Sequence, residues 1–522
     1  MATLQDFRNE RLKKLEKLRA LGVNPFPSKT DRTVKNSEVK LKFEEFESQN
    51  VKVVGRIKNL RIMGKIGFIV IKDESGSLQL FASEDNLGSA DYANSELAFK
   101  DLRLLDSGDF VEGDGEVIKT KTGEISVKLN KIRILTKAIR PMPLAHEEFS
   151  DIESRYRQRY IDMNVNEGVK NDIILRSKVT QILREFLVER DFLEIETPVL
   201  QPIYGGASAK PFTTYHNKLE SDFFLRISPE LYLKKAVAGG FERVFEFSRN
   251  FRNEGIDRSH NPEFTMLEFY RTYADYNDLM EMTTEMMHNL LNKVFGKLSF
   301  DYQGHKLDFS IIKKYTFREL ILEKMGLDID EMSREDLIKE IKSRNIEADL
   351  KAPTKDLLDE FYKETCRKDI IQPIYLIDYP REMIPLAKRK TDNPKYIESL
   401  QLVCCGFELL KAYSELNDPI DQLERLTEDQ KALDDGTSEE AMTVDLDFVA
   451  ALEVGIPPTA GWGMGIDRLI SFLADKPAIK DVIMFPTLRP EEVDEATRKM
   501  YPEVKFNDLN KSEVKLEKKG KF

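Results

Sequence analysis

The segment VFEFSRNFRNEGIDRSHNPEFTMLEFY, residues 244–270, constrains the fold of this chain more than any other. On either side of its polar loop the side chains alternate as they do in a strand, which predicts an antiparallel hairpin. In the second strand Glu268 shares a face with Phe264, Met266 and Tyr270. A carboxylate on such a face needs a cation or hydrogen-bond donors, so the pattern indicates a charged ligand over the sheet. A solvent-exposed hairpin with surface ion pairs is the alternative explanation.

The first strand of the hairpin is predicted to run through Arg252 and Glu254, on the same face as Glu246. Arg252 lies near the loop, and its planar guanidinium is suited to hold a phosphate group. Phe264, across the loop, is placed to stack on a base. The hairpin therefore indicates a site for a phosphorylated ligand beside the carboxylate of Glu268.

The composition is that of an acidic globular chain. With 522 residues it is long enough for two or three domains, and its net charge of −12 argues against non-specific binding along nucleic acid. Its three cysteines form no CxxC pair, which favours neither a disulfide framework nor a thiolate zinc site. The N-terminal residues lack the apolar core of a signal peptide, and no apolar run is long enough to cross a membrane. We therefore expect a cytoplasmic protein without membrane contact.

Residues 50–136 contain short strand-like segments separated by turns that hold glycine, as in DESGS and KTKTG. About five strands in this length predict a small barrel, of which the oligonucleotide-binding (OB) barrel is one kind. Phe68 and Phe81 offer surfaces for unpaired bases, although aromatic residues in such a pattern more often belong to the core. Upstream, residues 3–21 predict a helix rich in Lys and Arg, which is either a solvated surface helix or a contact to RNA phosphates.

Two later segments add charged residues. GWGMGIDRL is predicted as a glycine-rich turn that enters a helix, with Arg468 in the first helical turn. Glycines there let the backbone approach a ligand, but a lone GxGxG also serves packing alone. GFELLKAYSELNDP carries Glu408 and Glu415, and two acids near a phosphate site can hold Mg²⁺ through hard oxygen ligands. Acids at this spacing also lie on solvated faces, so neither segment decides the function alone.

These motifs occur in the order seen in class II aminoacyl-tRNA synthetases, and the chain resembles the bacterial-type lysyl-tRNA synthetases among them. DFLEIETPVL, which contains Pro198, resembles the first class motif, a helix and strand at the dimer interface. FRNEG…HNPEFTMLEFY resembles the second motif and GWGMGIDR the third. GGASAKPF, RISPELYLKKAVAGGFERVFE and YSELNDP are similar to the lysine enzymes in particular. The resemblance extends from about residue 50 to about residue 490.

The resemblance implies an α+β fold, with a class II synthetase antiparallel-sheet catalytic domain preceded by an N-terminal OB-fold β-barrel. The sheet of the family has six to seven strands with flanking helices, and its barrel binds the anticodon. The implied divisions of the chain are an N-terminal helical extension at 1–49, an OB-fold anticodon-binding domain at 50–137, a linker at 138–160, a catalytic domain at 161–500 with a helical insertion at about 316–366, and a Lys-rich C-terminal tail at 501–522.

Carried onto matching positions, the resemblance also implies roles for individual residues. The catalytic residues would be Arg252 on the α-phosphate of ATP and Arg468 on the γ-phosphate. The other ATP-binding residues would be Glu254, His260 and, stacked on adenine, Phe264. The lysine-binding residues would be Gly206, Glu230, Glu268, Tyr270 and Asn417. The Mg²⁺ ligands would be Glu408 and Glu415. The anticodon-binding residues would be Arg61, Phe68, Gln79 and Glu124.

The implied activity is ATP-dependent ligation of L-lysine to the 3′ end of tRNA(Lys) through a lysyl-adenylate, in a homodimer with Mg²⁺ as cofactor. Glu268 and Glu230 would pair with the ammonium groups of lysine, whereas the aspartyl branch usually has Gln in place of Glu230. One position departs from the family: Lys411 stands where the family usually has Asn. Its side chain either points to solvent or places a positive charge near the metal.

Three other functions fit parts of the sequence. A ligase that attaches lysine or β-lysine to a protein such as elongation factor P would share the catalytic segments but lack the barrel at 50–136. An aspartyl- or asparaginyl-type synthetase is disfavoured by Glu230 and by the segments GGASA and SELNDP. A catalytically inactive RNA-binding or regulatory paralogue would be expected to lose the phosphate-binding arginines or the metal-binding acids, which this chain keeps.

Overall fold

A computed structural model gives the fold and describes residues 3–87, 89–143, 149–436 and 441–505. The chain forms two compact units. One contains the described residues of Met1–Arg155 together with those of Arg489–Phe522, and the other is Tyr156–Leu488. The predicted Lys-rich tail lies outside the described residues from position 506 onward.

The first unit contains a closed five-stranded barrel with the strand order β1-β2-β3-β5-β4. Its strands are β1 (Asn50–Met63), β2 (Ile66–Lys72), β3 (Ser77–Ser83), β4 (Phe110–Lys119) and β5 (Ile125–Thr136). Alternate side chains such as Ile69, Ile71 and Leu80 point inward and are fully buried. At Gly115 a Cβ atom would lie 2.0 Å from the carbonyl oxygen of Lys128, so only glycine permits the close crossing of β4 and β5 there. The barrel predicted from the strand pattern is confirmed.

Three helices precede the barrel, namely α1 (Leu4–Ala20), α2 (Asn36–Leu41) and α3 (Phe43–Phe46). The predicted helix at 3–21 is confirmed as α1. Leu15 and Leu18 of α1 are buried. Arg11 donates hydrogen bonds to the carbonyl oxygens of Ser107 (2.9 Å) and Ala138 (3.1 Å). Part of the positive charge of this helix therefore serves packing within the first unit.

The second unit is built on an eight-stranded sheet with the order β14-β15-β16-β17-β18-β11-β10-β6. Two small sheets, β7-β9-β8 and β12-β13, accompany it. The strands are β6 (Leu193–Glu194), β7 (Leu200–Gln201), β8 (Thr213–His216), β9 (Ser221–Leu225), β10 (Arg243–Phe251), β11 (Glu263–Thr272), β12 (Ser299–Tyr302), β13 (His305–Asp308), β14 (Lys313–Thr316), β15 (Ile374–Ile377), β16 (Ser399–Cys404), β17 (Phe407–Ser414) and β18 (Thr459–Gly465).

The main sheet is antiparallel from β15 to β10, and its two outermost strands, β14 and β6, pair in parallel with their neighbours. The sheet therefore has more strands than the six to seven that the resemblance implied. Strand β14 pairs in parallel with β15, and two parallel strands can be neighbours only if a long crossover segment connects them. The predicted helical insertion is that crossover, since its three helices link β14 to β15.

The remaining helices flank the sheet. They are α4 (Ile152–Arg157), α5 (Arg159–Val165), α6 (Glu167–Val188), α7 (Glu230–Ala238), α8 (Tyr276–Phe295), α9 (Phe317–Met325), α10 (Arg334–Ser343), α11 (Thr354–Thr365), α12 (Pro419–Asp434), α13 (Leu446–Val454), α14 (Ile466–Leu473) and, in the first unit, α15 (Glu495–Met500). Within the described ranges, none of these helices has both the length and the apolar character needed to cross a bilayer.

One face of the main sheet packs against helices to form a core. Phe269 and Trp462 stack there with ring centroids 4.7 Å apart, and the indole nitrogen of Trp462 donates a 3.0 Å hydrogen bond to Thr283 of α8. Leu183 of α6 and Leu279 of α8 are fully buried in the same cluster. Because successive strand residues point to opposite faces, the strand residues next to Phe269 and Trp462 face the other side of the sheet, where the candidate site lies.

Candidate active site

The hairpin of β10 and β11 carries the polar face that its sequence predicted. In its register Glu246 lies directly opposite Glu268, and Asn250 lies opposite Phe264. The prediction that Arg252 belongs to the first strand is wrong, because β10 ends at Phe251. Beyond that point the backbone N–H of Arg252 still donates to Pro262, but proline has no N–H with which to continue the ladder.

The glycine-rich segment before α14 is a central strand, β18, and not the predicted turn. Its large residues alternate with glycines, so Trp462 enters the core while Gly461 and Gly463 face the site. Gly461 lies opposite Tyr270, and Gly463 lies opposite Glu268. The glycines leave the floor of the site without side chains, which is why a strand interior tolerates them here.

A cavity of about 370 Å³ lies over this face of the sheet. Most of the residues predicted for ATP and lysine binding line it together, namely Gly206, Glu230, Arg252, Glu254, His260, Phe264, Glu268, Tyr270 and Arg468, and so does the predicted Mg²⁺ ligand Glu408. Segments far apart in the chain thus converge on one volume. Their individual roles stay predictions.

The end of the cavity near α14 carries two guanidinium groups. Arg252 lies over the ring of Phe264, with its guanidinium carbon 5.0 Å from the ring centroid. Its Nε atom is buried and has no hydrogen-bond partner among the described residues. Arg468 donates a 2.9 Å hydrogen bond to the carbonyl oxygen of Glu408. Burial lowers the pKa of both arginines, but a guanidinium remains protonated in proteins, so this end attracts anions.

The opposite end of the cavity carries buried carboxylates. Glu230 accepts hydrogen bonds from Nζ of Lys234 (2.7 Å) and from the hydroxyl of Tyr413 (2.6 Å). Nζ of Lys234 also forms an ion pair with Glu415. Glu268 accepts hydrogen bonds from Oγ of Ser228 at 3.1 and 3.2 Å. The sequence interpretation missed Ser228, Lys234 and Tyr413, although the four-residue spacing of Glu230 and Lys234 on a helix was a usable signal.

The two carboxylates that face each other on β10 and β11 differ in their partners. Glu246 forms a buried ion pair with Nη1 of Arg226 at 2.6 Å. Glu268 is 4% exposed and accepts hydrogen bonds only from Ser228 among the described residues. Burial and the nearby charge of Glu230 raise the pKa of Glu268 to about 8. No cation among the described residues forms an ion pair with Glu268, and the charge of Arg252 offsets the rise in its pKa only in part.

The acids predicted to hold Mg²⁺ have different surroundings. A bulge at β17 sets Val403 opposite Glu408 and Leu402 opposite Leu410, which turns Glu408 toward the cavity. Glu415 is buried and pairs with Lys234. The described residues contain no group of three His, Cys, Asp or Glu side chains that could hold a metal ion. Because Mg²⁺ is often bound by one or two carboxylates together with substrate phosphates, Glu408 fits such a site, whereas Glu415 is engaged by Lys234.

Asn417, predicted to contact the amino acid, is not brought into the cavity lining. Its Oδ1 accepts a 2.7 Å hydrogen bond from Lys388, and its Nδ2 donates to the carbonyl oxygen of Ile456 at 3.4 Å. Both ends of the amide are therefore engaged by neighbouring residues. Its role stays a prediction.

The barrel of the first unit presents the predicted anticodon-binding residues on its outer face. Arg61 lies opposite Phe68, Phe68 opposite Phe81, and Gln79 donates a 2.9 Å hydrogen bond to Ser126. The rings of Phe68 and Phe81 are half-buried with centroids 5.4 Å apart, so neither is the core residue that the alternative interpretation expected.

Glu124 lies just before β5 and forms an exposed ion pair with Lys40 at 3.1 Å. It is thus close in sequence to Ser126, which lies opposite Gln79. The row of half-buried aromatic and polar groups on these strands can stack on bases and donate hydrogen bonds to them.

Both the barrel and the segment that contains the main sheet match families of known proteins. Residues 151–489 match the family of class II tRNA synthetases for D, K and N, and residues 51–135 match the OB-fold nucleic acid binding domain. A lysine–tRNA ligase of Clostridium tetani is 44% identical over 487 residues, which cover 92% of this chain and 95% of that protein. Lysine–tRNA ligases of Christiangramia forsetii and a Roseiflexus species are each 42% identical, covering 94% of this chain and 88% and 100% of their own lengths.

Proposed function

This chain belongs to the class II tRNA synthetases of the D, K and N group, and from that premise we propose that it is a lysine–tRNA ligase. It activates L-lysine with ATP to lysyl-adenylate and transfers the lysyl group to the 3′ end of tRNA(Lys). The segment at 161–500 acts as the catalytic domain, and the barrel at 50–137 binds the anticodon.

The observation that carries the proposal is the contrast between Glu268 and Arg252 in one cavity. Among the described residues, no cation forms an ion pair with the buried carboxylate of Glu268, and no acceptor bonds the buried Nε of Arg252. A ligand with an ammonium group at one end and a phosphate at the other satisfies both. Lysine joined to AMP is such a ligand, and an acidic amino acid would meet repulsion from Glu230 and Glu268.

The first step needs no protein nucleophile. A carboxylate oxygen of lysine attacks the α-phosphorus of ATP, the bond between that phosphorus and the bridging oxygen breaks, and pyrophosphate leaves. Arg252 and Arg468 hold the phosphates in line and offset the charge that develops on their oxygens. Mg²⁺, if held by Glu408 together with the phosphates, would add positive charge to them.

In the second step the 3′-terminal ribose hydroxyl of the tRNA attacks the carbonyl carbon of lysyl-adenylate. The ester bond forms, the bond to the phosphate oxygen breaks, and AMP leaves. The outer face of the barrel, with the half-buried rings of Phe68 and Phe81, supports a nucleic acid as the acceptor. A ligase that modifies another protein has no use for such a face.

We also propose that the protein is a homodimer. Large apolar side chains are exposed in and around the edge strand β6, among them Val188 (55%), Leu193 (49%) and Leu200 (48%). Pro198 and the segment resembling the first class motif lie in the same region. A second copy of the chain would remove this surface from water.

Sedimentation velocity tests the dimer. Leu200→Asp should shift the protein from dimer to monomer, because it places a charge in an apolar contact. Ile311→Asp is the matched control, since Ile311 is 80% exposed beside the opposite edge of the sheet. A monomeric parent protein, or equal dissociation of both variants, would contradict the proposal.

Amino-acid-dependent exchange between ATP and pyrophosphate tests the activation step. Across all twenty amino acids, without tRNA, only lysine should support exchange. Exchange with aspartate or asparagine would contradict the substrate assignment but not the adenylation chemistry. The absence of exchange with any amino acid would contradict the proposed activity and favour an RNA-binding or regulatory role.

A further inference from the structure

Lys411 lies on β17 directly opposite Gly463 of β18, and Gly463 lies directly opposite Glu268 of β11. Neighbouring strands are about 4.8 Å apart, so the backbones at Lys411 and Glu268 are separated by about 10 Å. Gly463 has no side chain to fill the space between them. Lys411 lines the cavity, so its side chain does not simply extend into solvent away from the site.

Lys411 differs from the other lysine near the cavity in its partners. Lys234 is held between the carboxylates of Glu230 and Glu415. Lys411 forms no ion pair and no hydrogen bond through its side chain within the described part of the chain. The other cations that line the cavity, Arg252 and Arg468, are at the end assigned to the phosphates. Lys411 is therefore the lining cation available to an anion near the amino-acid end.

The position of Lys411 along β17 fixes which anion it meets. On one side of it the carbonyl oxygen of Glu408 accepts a hydrogen bond from the guanidinium of Arg468 at the nucleotide end. On the other side Tyr413 donates to Glu230 at the amino-acid end. Lys411 thus lies at the junction of the two ends. In the proposed reaction the carboxylate of the amino acid and the α-phosphate of ATP meet at this junction.

We propose that Lys411 binds the α-carboxylate of the amino-acid substrate, while Glu268 binds an ammonium group of the same molecule. This inference rests on the proposed function. One carboxylate oxygen is held by Lys411 and the other remains free to attack the α-phosphorus. A charged donor such as Lys411 gives a stronger hydrogen bond to a carboxylate than a neutral side chain does.

The test measures binding of L-lysine and L-lysinol to the full-length protein by calorimetry, without ATP. Lysinol keeps both ammonium groups but has a hydroxymethyl group in place of the carboxylate. Lys411→Met should weaken the binding of lysine about tenfold or more and that of lysinol less than about twofold, since only lysine offers the anion. Lys411→Arg should restore most of the affinity for lysine, because it restores the charge. Lys314→Met, at an exposed position of β14, is the matched control and should bind both ligands as the parent does.

Equal weakening of lysine and lysinol by Lys411→Met would overturn the inference, because a general disturbance of the pocket does not depend on the carboxylate. Unchanged lysine affinity would overturn it as well. Both results leave lysine-dependent exchange of the parent protein intact, so they are distinguishable from failure of the proposed function. A parent protein that neither binds lysine nor supports exchange would overturn both.

Discussion

Gly461 lies directly opposite Tyr270, and a Cβ atom at position 461 would be 2.5 Å from Cε1 of that tyrosine. The same Cβ atom would be 2.1 Å from Oε1 of Glu415. At Gly463 the nearest atoms would be Cε of Met266 at 3.4 Å and Cγ of Glu268 at 3.5 Å. The floor of the cavity therefore leaves no room for a side chain at Gly461, whereas it leaves room for a methyl group at Gly463.

This difference predicts unequal effects of two alanine substitutions. Gly461→Ala should raise the KM for lysine at least about tenfold in pyrophosphate exchange, because Tyr270 or Glu415 must move to admit the methyl group. Gly463→Ala should raise the KM clearly less, since its methyl group meets the protein only at ordinary van der Waals distances. Thermal unfolding of both variants controls for loss of fold. Similar KM values for the two variants would contradict the geometry of the floor.

The pKa of Glu268 predicts how lysine binding depends on pH. Burial and Glu230 raise this pKa to about 8, so the carboxyl is mostly protonated at pH 6 to 7 before lysine binds. An ammonium group pairs only with the ionised form. Lysine affinity should therefore rise about tenfold for each pH unit well below 8 and level off above it.

Calorimetry in two buffers of different ionisation enthalpy measures the proton that accompanies this binding. Below about pH 8 the binding of lysine should release close to one proton per site, since the bound ammonium group lowers the pKa of Glu268. Glu268→Gln is the control, because it keeps the size of the side chain without a titrating carboxyl. The variant should bind lysine more weakly and release no such proton. Proton release equal to that of the parent would assign the titration to another group.

Arg468 is predicted to act in adenylate formation and not in tRNA binding. Arg468→Ala should lower the rate of pyrophosphate exchange about 100- to 1,000-fold, the usual cost of removing one donor from a developing charge. Binding of tRNA, measured by filter retention, should be nearly unchanged, because the barrel lies in the other unit. Arg468→Lys keeps the charge but not the planar guanidinium, so its exchange rate should lie between those of the parent protein and the alanine variant. Full exchange activity of the alanine variant would reject the role.

Phe68 is predicted to act in tRNA binding and not in adenylate formation. Its ring is half-buried against Phe81 on the outer face of the barrel. Phe68→Ala should weaken tRNA binding by about 1–3 kcal/mol, the value of one base stacked on an aromatic ring, with pyrophosphate exchange unchanged. Phe110→Ala, on β4 of the same barrel, controls for loss of barrel stability. An equal fall in exchange would make Phe68 a structural residue.

Local patterns in the sequence were sufficient for much of the architecture. Alternation of period two predicted the barrel strands and the hairpin of β10 and β11, because side chains on successive strand residues face opposite sides wherever the strand lies. The prediction of a turn at the glycine-rich segment was wrong, because this segment is strand β18. Gly461 is required by contacts with Tyr270 of β11 and with Glu415, which follows β17, and such contacts leave no mark in local periodicity.

The sequence by itself determined the class of fold, the barrel, the helical insertion and the charged residue types of the site, because these follow from short-range patterning and from motifs held in a fixed order. Only the tertiary structure decided how the charges are paired. In the part of the chain that the structure describes, Arg226 pairs with Glu246, no cation pairs with Glu268, and Lys411 lies across Gly463 from Glu268. Pairing of this kind depends on the register of strands that are distant in the chain, and register is fixed by the packing of the whole sheet.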